Sequence, residues 1–457
     1  MKKIFILILT VFTLGNLQAQ DSLNCNLLYH WDDESLIGSF AYDNTYNEIW
    51  GIAQNNREYA IIGSTAGTHI FDITDPSNAA QIHFIAGSYV GGGVVHRDFH
   101  DYQGYLYIAG DEGTNTLQIV DISNLPASVE VVYDSNALFT RAHNLFIDES
   151  KGVLYAGGGS QQLKLFSLDD PTNPTLLLDC QTDFPGWAQA GYIHDLYVKD
   201  GIAYCNAGGN GLFIADFNDT DNPVFLGSLT SYPDQGYNHS GWLNENGSIY
   251  ALADETHGMK IKILDVSDPS DINVLSMIGS EVSGNSIVHN LIFDGDFLHI
   301  SYYYDGYYVF DISDPANPVL AAFYDTCTIP NTGSYKGAWG VYPLLPSGNI
   351  LISDMQNGLF VLHPNIGEQI TDQVDEGKNE NIRCFPTRLG NTNQVQLSGL
   401  PLQKIDVLVY NELGQKIYQN DSRGAKTFGF SLPSIAQGVF FVHLQWNNTE
   451  KVFKILK

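Results

Sequence analysis

The sequence predicts an all-β chain: a seven-bladed β-propeller followed by a small C-terminal β-sandwich of Ig-like type. Three observations carry that prediction. A strand-ending phrase returns six times at nearly constant spacing, a second landmark returns upstream of it, and both stop near residue 363, where the composition changes.

The phrase reads FDITDPSNAA from Phe71, VDISNLPASV from Val120, FSLDDPTNPT from Phe166, ADFNDTDNPV from Ala215, LDVSDPSDIN from Leu264 and FDISDPANPV from Phe310. Its starts lie 49, 46, 49, 49 and 46 residues apart. A fixed period in this range marks a propeller or solenoid with one supersecondary unit per repeat. Most copies close a run of β-branched and aromatic residues with Asp-Pro or Asn-Pro. Proline fixes φ and the aspartate bonds the backbone after it, so the phrase is a turn from the third strand of a unit into its fourth.

The second landmark is VHRDF at His96, AHNLFI at His143, IHDLYV at His194, NHSGWL at His239 and VHNLIF at His289, with Trp50 in IWGIA and Trp339 in AWGVY in the matching places of the first and last units. Within the fourth unit, IHDLYVK, IAYCNA, GLFIADF and PVFLGSL are separated by DG, GGN and NDTDN, which are strand and turn signals. Seven such units give a seven-bladed propeller over residues 20–363. The seventh supplies only three strands. CNLLYHWDD, residues 25–33, reads as a fourth strand without a unit of its own and is expected to complete the last blade, removing an open sheet edge.

At 457 residues the chain exceeds one ordinary core unless it is a repeat assembly. MKKIFILILTVFTLGNLQAQ, with two lysines, an apolar stretch and Ala19, has the layout of a cleaved secretory signal over residues 1–19. Its apolar run falls short of the roughly 20 residues a membrane span needs, and no later segment reaches that length, so no transmembrane segment is expected after cleavage. With 21 basic against 51 acidic residues, a net charge of −30 and no Lys/Arg cluster, the chain lacks the cationic patch that nucleic acid or an anionic membrane requires. Five cysteines make no disulfide framework, although export leaves room for one or two bridges.

PNIGEQITDQVDEGKNE from Pro364 is polar and acidic, and residues 364–381 read as a linker. From residue 382 to 457, NQVQLSGLP, KIDVLVYNELGQKIYQ, TFGFSLPSIAQGVFFVHLQW and EKVFKILK read as the strands of the sandwich. VLVYNELGQKIY followed by LPSIAQGVFFVHLQWNNTEKVFKILK resembles the C-terminal sorting domain (Por system, type A) of type IX secretion cargo. Asn411, Gly414, Gly438, Lys454 and Lys457 carry that resemblance, while CFPTRL at Cys384 to Leu389 replaces the Tyr-Pro-Asn-Pro opening common in such domains. Strands such as LQIVDIS, Leu117 to Ser123, resemble LVIVD-repeat proteins and, among them, the choice-of-anchor B family, over about residues 25–363. These resemblances imply a propeller, passage through the periplasm of a Gram-negative bacterium to the cell surface or medium, and the type IX machinery as a partner. They imply no settled reaction.

In a propeller the first strand of each blade is innermost, so His96, His143, His194, His239 and His289 gather near one mouth of the channel. Turns on that face add Asp111, Glu112, Asp254, Glu255, Asp305 and Asp354. Imidazole with carboxylate, here the five histidines with Asp111 and Asp254, is a ligand set for a transition metal supporting hydrolase, oxidase or lyase chemistry. The competing reading gives each histidine a hydrogen bond inside its own blade. A metal needs three or four ligands once, whereas a structural bond is needed in every unit, so recurrence favours the second reading, in which no cofactor is required. Loops entering the same face carry Trp187, Tyr192, Tyr232, Tyr237 and Tyr335, either as a recognition surface or as plugs of the mouth. Triple glycines at Gly91 and Gly157 precede no helix and no lysine, and there is no CxxC, HExxH or nucleophile elbow. The sequence thus points first to an exported, non-catalytic propeller that binds an extracellular protein or glycan, and second to a metal-dependent extracellular enzyme.

Overall fold

The computed structural model describes residues 22–366 and, beyond them, 383–389, 392–398, 404–411, 415–422, 424, 427–431, 439–446 and 449–456. The expected signal lies outside the described residues, as do most of the linker, Gly414, Gly438 and Lys457. The chain divides into two compact units after Pro364. Among the described residues, no helix is long and apolar enough to cross a membrane.

In the first unit consecutive strands pair antiparallel into four-stranded sheets, the arrangement of propeller blades. One sheet runs Asp195–Lys199, Ile202–Asn206, Leu212–Asp216 and Val224–Leu229. Its middle strands, IAYCN and LFIAD, are covered on both faces and are therefore nearly continuous apolar runs. The outermost strand, VFLGSL, alternates exposed and half-buried residues, the period-2 pattern of a strand with one wet face.

The recurring phrase forms the turn between third and fourth strands, and its aspartates hold it. Asp72 Oδ1 accepts from the Thr74 amide at 3.1 Å and Asp75 Oδ1 from the Ser77 amide at 3.1 Å. The same bonds recur at Asp265 and Ser267 (3.0 Å), Asp268 and Ser270 (2.9 Å), and Asp311 and Ser313 (2.9 Å). These side chains mimic a backbone turn, so the repeated Asp is architecture.

First strands of successive sheets pack side by side around a circle. Tyr46–Gln54 lies against Arg97–Tyr102, followed by Asn144–Asp148, Asp195–Lys199, Asn238–Leu243, Leu291–Asp294 and Ala338–Tyr342, which returns to Tyr46–Gln54. The core sits between neighbouring sheets: Ile263 of one and Leu298 and Phe310 of the next share a cluster. Each fully buried Ile or Leu contributes ~1.5–3 kcal/mol there. The first described residues stitch two late sheets together. Cys25–Trp31 pairs antiparallel with Gly358–Pro364, and Ser22 and Leu23 pair with Tyr324 and Phe323 of the neighbouring sheet. Trp31 also packs on Phe71 and Tyr46, with ring centroids 4.7 and 5.4 Å away, tying that strand to the first full sheet.

Cys25, Cys180, Cys205 and Cys327 are buried and free, so no bridge forms among these four. Burial pushes the Cys25, Cys205 and Cys327 thiols up to about 12, which keeps them protonated and unreactive at neutral pH.

In the second unit, Arg383–Leu389, Thr392–Ser398 and Thr427–Ser431 form one antiparallel sheet, and Lys416–Asp421, Asp406–Asn411, Val439–Trp446 and Thr449–Leu456 form another. Val395, Leu397, Val407, Val409, Phe430, Val442 and Leu444 of both sheets share a single core.

Candidate functional site

Because the first strands line the circle, the residue at the head of each meets its neighbours in the adjoining sheets. His96, His143, His194, His239 and His289 stand ring to ring, with successive centroids 4.6, 4.0, 4.3 and 4.4 Å apart. Trp339 closes the circle, 4.2 Å from His289 and 5.2 Å from His96.

Trp50 is not in that ring, contrary to the sequence alignment of the first unit. The pairing of Tyr46 with Ser64 and Ile49 with Ile62 includes an irregularity that shifts the count. Asn47 is the first-strand residue near the ring and donates to the Val95 carbonyl at 3.1 Å. Trp50, three residues further along, packs on His100 (4.7 Å) and Tyr342 (4.9 Å) and donates to Asp101 at 2.8 Å. It belongs to a second aromatic layer that continues through His100, Phe146, Tyr197 and Trp242.

Between the two layers lies a polar one that the sequence reading missed. Glu48 accepts from Asn290 Nδ2 at 2.9 Å and from the Ile49 amide at 3.0 Å, while Asp98 accepts from Asn144 Nδ2 at 3.2 Å. Asp195 and Ser240 line the same channel. Burial, and then the charge of Asp98, pushes Glu48 well above the usual carboxylate range; burial does the same to Asp98. Asp195 is raised by burial and then by both of those charges. A signal was present: each acid stands one or two residues past the ring position, inside a strand covered on both faces.

At the mouth, carboxylates meet some of the imidazoles. His96 Nδ1 pairs with Glu112, His143 Nδ1 lies 2.9 Å from Asp111 Oδ2, and His239 Nε2 lies 3.8 Å from Glu255 Oε2. Burial works against the charged form of His143, but the hydrogen bond and charge of Asp111 outweigh it and hold the imidazole above its ordinary value. Burial, and then neighbouring imidazoles, keeps His194 and His239 far below theirs; burial also lowers His289. Glu255, hydrogen-bonded by the Tyr303 hydroxyl, is pushed up to about 7 by burial.

Asp254, named with the ligands, is committed elsewhere. Fully buried, it accepts from Lys262 Nζ at 2.6 Å, the Tyr232 hydroxyl at 2.8 Å and the Gly236 amide at 3.0 Å, and its neighbour Glu255 faces the imidazoles instead. The five loop aromatics also separate. Trp187 is 2% exposed and packs on Phe184 and Phe225, while Tyr232 is buried over Asp254, so both belong to the interior. Tyr192 and Tyr237 are 39% and 37% exposed, with Tyr237 5.3 Å from the His194 ring. Tyr335 is half-buried among Tyr42, His257 and Tyr303. His69 bonds to Ser64 and Gln81 of its own sheet.

Residues 101–133 and 287–326 match the LVIVD repeat. The second LVIVD stretch takes in Leu291–Asp294, Phe297–Ser301, Tyr307–Asp311 and Val319–Tyr324 together with His289, whereas the first begins within Arg97–Tyr102, after His96. No curated protein matches the chain.

Proposed function

We propose that the chain is an exported, non-catalytic seven-bladed β-propeller of the choice-of-anchor B type that binds an extracellular glycan or protein at the mouth above its imidazole ring. Its C-terminal unit acts as a type IX sorting domain that delivers it to the surface or medium of a Gram-negative bacterium. The signal-like N-terminus and the tail motif around Asn411 support the export reading.

One observation carries the binding reading. Tyr192 and Tyr237 present accessible ring surface at the rim, directly beside the imidazoles, with the Glu255 carboxylate and Tyr303 hydroxyl beneath. Rigid strands form the floor and loops carry the aromatic faces, the division of labour common in recognition sites. Aromatic faces next to carboxylates that can accept hydroxyl protons favour a sugar over a flat apolar peptide.

The test is binding of the purified chain to glycan and secreted-protein arrays, repeated with Tyr192→Ala and Tyr237→Ala. Loss of a hit by tenfold or more, about 1.4 kcal/mol, with unchanged unfolding curves supports a mouth site; equal binding by the variants overturns it. For export, deletion of residues 382–457 in the producing bacterium should strand the protein in the periplasm. Undiminished appearance outside would sink the sorting assignment.

A further inference from the structure

A purely structural role for the ring histidines requires one hydrogen bond repeated sheet after sheet, and no single bond is shared by all five. His96 meets Glu112 in the turn of its own sheet, whereas His143 meets Asp111 of the preceding one. His289 Nδ1 donates to the Trp339 carbonyl at 2.7 Å. His194 leans toward the backbone of His239, but Nδ1 of His194 and Nδ1 of His239 reach no partner at hydrogen-bonding geometry, although these residues are only 8% and 3% exposed. An unsatisfied buried polar nitrogen costs ~1–3 kcal/mol, and here two lie on adjacent strands at the same level of the channel.

One ligand nitrogen from each of His143, His194 and His239 lies within 4.8 Å of the other two. Asp111, by holding His143 Nδ1, leaves Nε2 of that ring for coordination and fixes its orientation, as outer carboxylates do for metal-bound imidazoles. We infer that His143, His194 and His239 form a site for a divalent first-row transition metal of the zinc and copper class. Imidazole donors select such ions over calcium and magnesium, which take oxygen shells. Three protein ligands leave a fourth position for water or a bound ligand, with the Glu255 carboxylate next to His239.

Two other groupings are geometrically possible: His96, Asp111 and His143, and His239, Glu255 and His289. Their members spend donors elsewhere. His96 is paired with Glu112, His289 Nδ1 with the Trp339 carbonyl and Glu255 with Tyr303. The unpartnered nitrogens single out the set containing His194.

The groupings can be told apart because His194, His96 and His289 each belong to one of them alone. The full chain, stripped with chelator and dialysed, is titrated with Zn²⁺ and Cu²⁺ by calorimetry, with Ca²⁺ as a control for the acidic surface. The expected result is one ion per chain at about micromolar Kd or tighter. His194→Phe, which keeps a ring in the stack, should weaken binding at least 100-fold, and His96→Phe and His289→Phe less than tenfold. Binding no stronger than that of Ca²⁺, or loss in His96→Phe or His289→Phe with His194→Phe unaffected, overturns the assignment. X-ray absorption of the loaded wild-type chain is independent of whether a variant folds: imidazole scattering from about three rings supports the site, and an oxygen-only shell overturns it. Metal content is read without any glycan or protein ligand, so failure of the recognition reading leaves this inference standing, and the reverse.

Discussion

His299 offers a pH test of the interior that is independent of the mouth. It lies in the strand Phe297–Ser301, is 2% exposed, and its Nδ1 is 2.8 Å from the Tyr307 hydroxyl. Burial pushes its pKa down from 6.5 to about 3. The folded chain therefore keeps this imidazole neutral while the unfolded chain protonates it below about 6.5. Its contribution to stability is fully present above that value and lost as pH falls towards about 3, at about 1.4 kcal/mol per unit. By about pH 4.5 the loss reaches about 2.7 kcal/mol. His299→Asn keeps an acceptor near the Nδ1 position but cannot titrate. It carries a packing cost at every pH, so the slope and not the absolute stability decides. Urea unfolding of both proteins from about pH 7.5 to 4.5 should show the wild-type advantage shrinking by about that amount. The other depressed histidines are common to both proteins and cancel. Parallel stability curves would refute the reasoning.

Lys262→Met leaves the fully buried Asp254 carboxylate without its cation and should cost about 3–5 kcal/mol, with metal content per folded chain unchanged; denaturant midpoints and elemental analysis check both halves. Glu255 has the opposite pH sense from His299: its raised value of about 7 means stability fully present below 4.5 and lost as pH rises to 7. Glu255→Gln should therefore flatten a decline of about 3 kcal/mol over that window in the same urea series. Trp187→Ala opens a hole against Phe184 and Phe225 and should cost about 3–5 kcal/mol, whereas Tyr237→Ala should shift thermal unfolding little and act on ligand binding alone.

Periodicity made the fold readable because a blade is one repeat: strand lengths, turn dipeptides and the phrase at Phe71 or Phe310 all recur, and the sheets follow them. It also located the histidines, since one residue per period at the head of the innermost strand must meet its equivalents. The failures are equally physical. Trp50 was placed one layer too high because the irregularity between Tyr46 and Ile49 changes the register without changing the composition. The sequence leaves Trp187 open between a recognition surface and a plug of the mouth because a loop sequence does not state which way its rings face; the short helix Cys180–Asp183 and the turn Trp187–Gln189 fold it onto Phe225. Glu48, Asp98 and Asp195 looked like ordinary strand acids, and only closure of the circle puts all three in one layer lining the channel.

The identity of each histidine's partner was the least readable feature, and it is the one on which function turns. Asp111 reaches His143 from the preceding sheet and the Trp339 carbonyl reaches His289 from the following one, so neither bond is encoded within a repeat. Recurrence of the residue therefore says nothing about recurrence of the bond. A histidine kept for blade structure needs both nitrogens provided for inside the fold, whereas a ligand needs one nitrogen held and the other left bare. His143 meets that second condition through Asp111, and on the two strands that follow His194 and His239 each bring a ligand nitrogen within 4.8 Å of it.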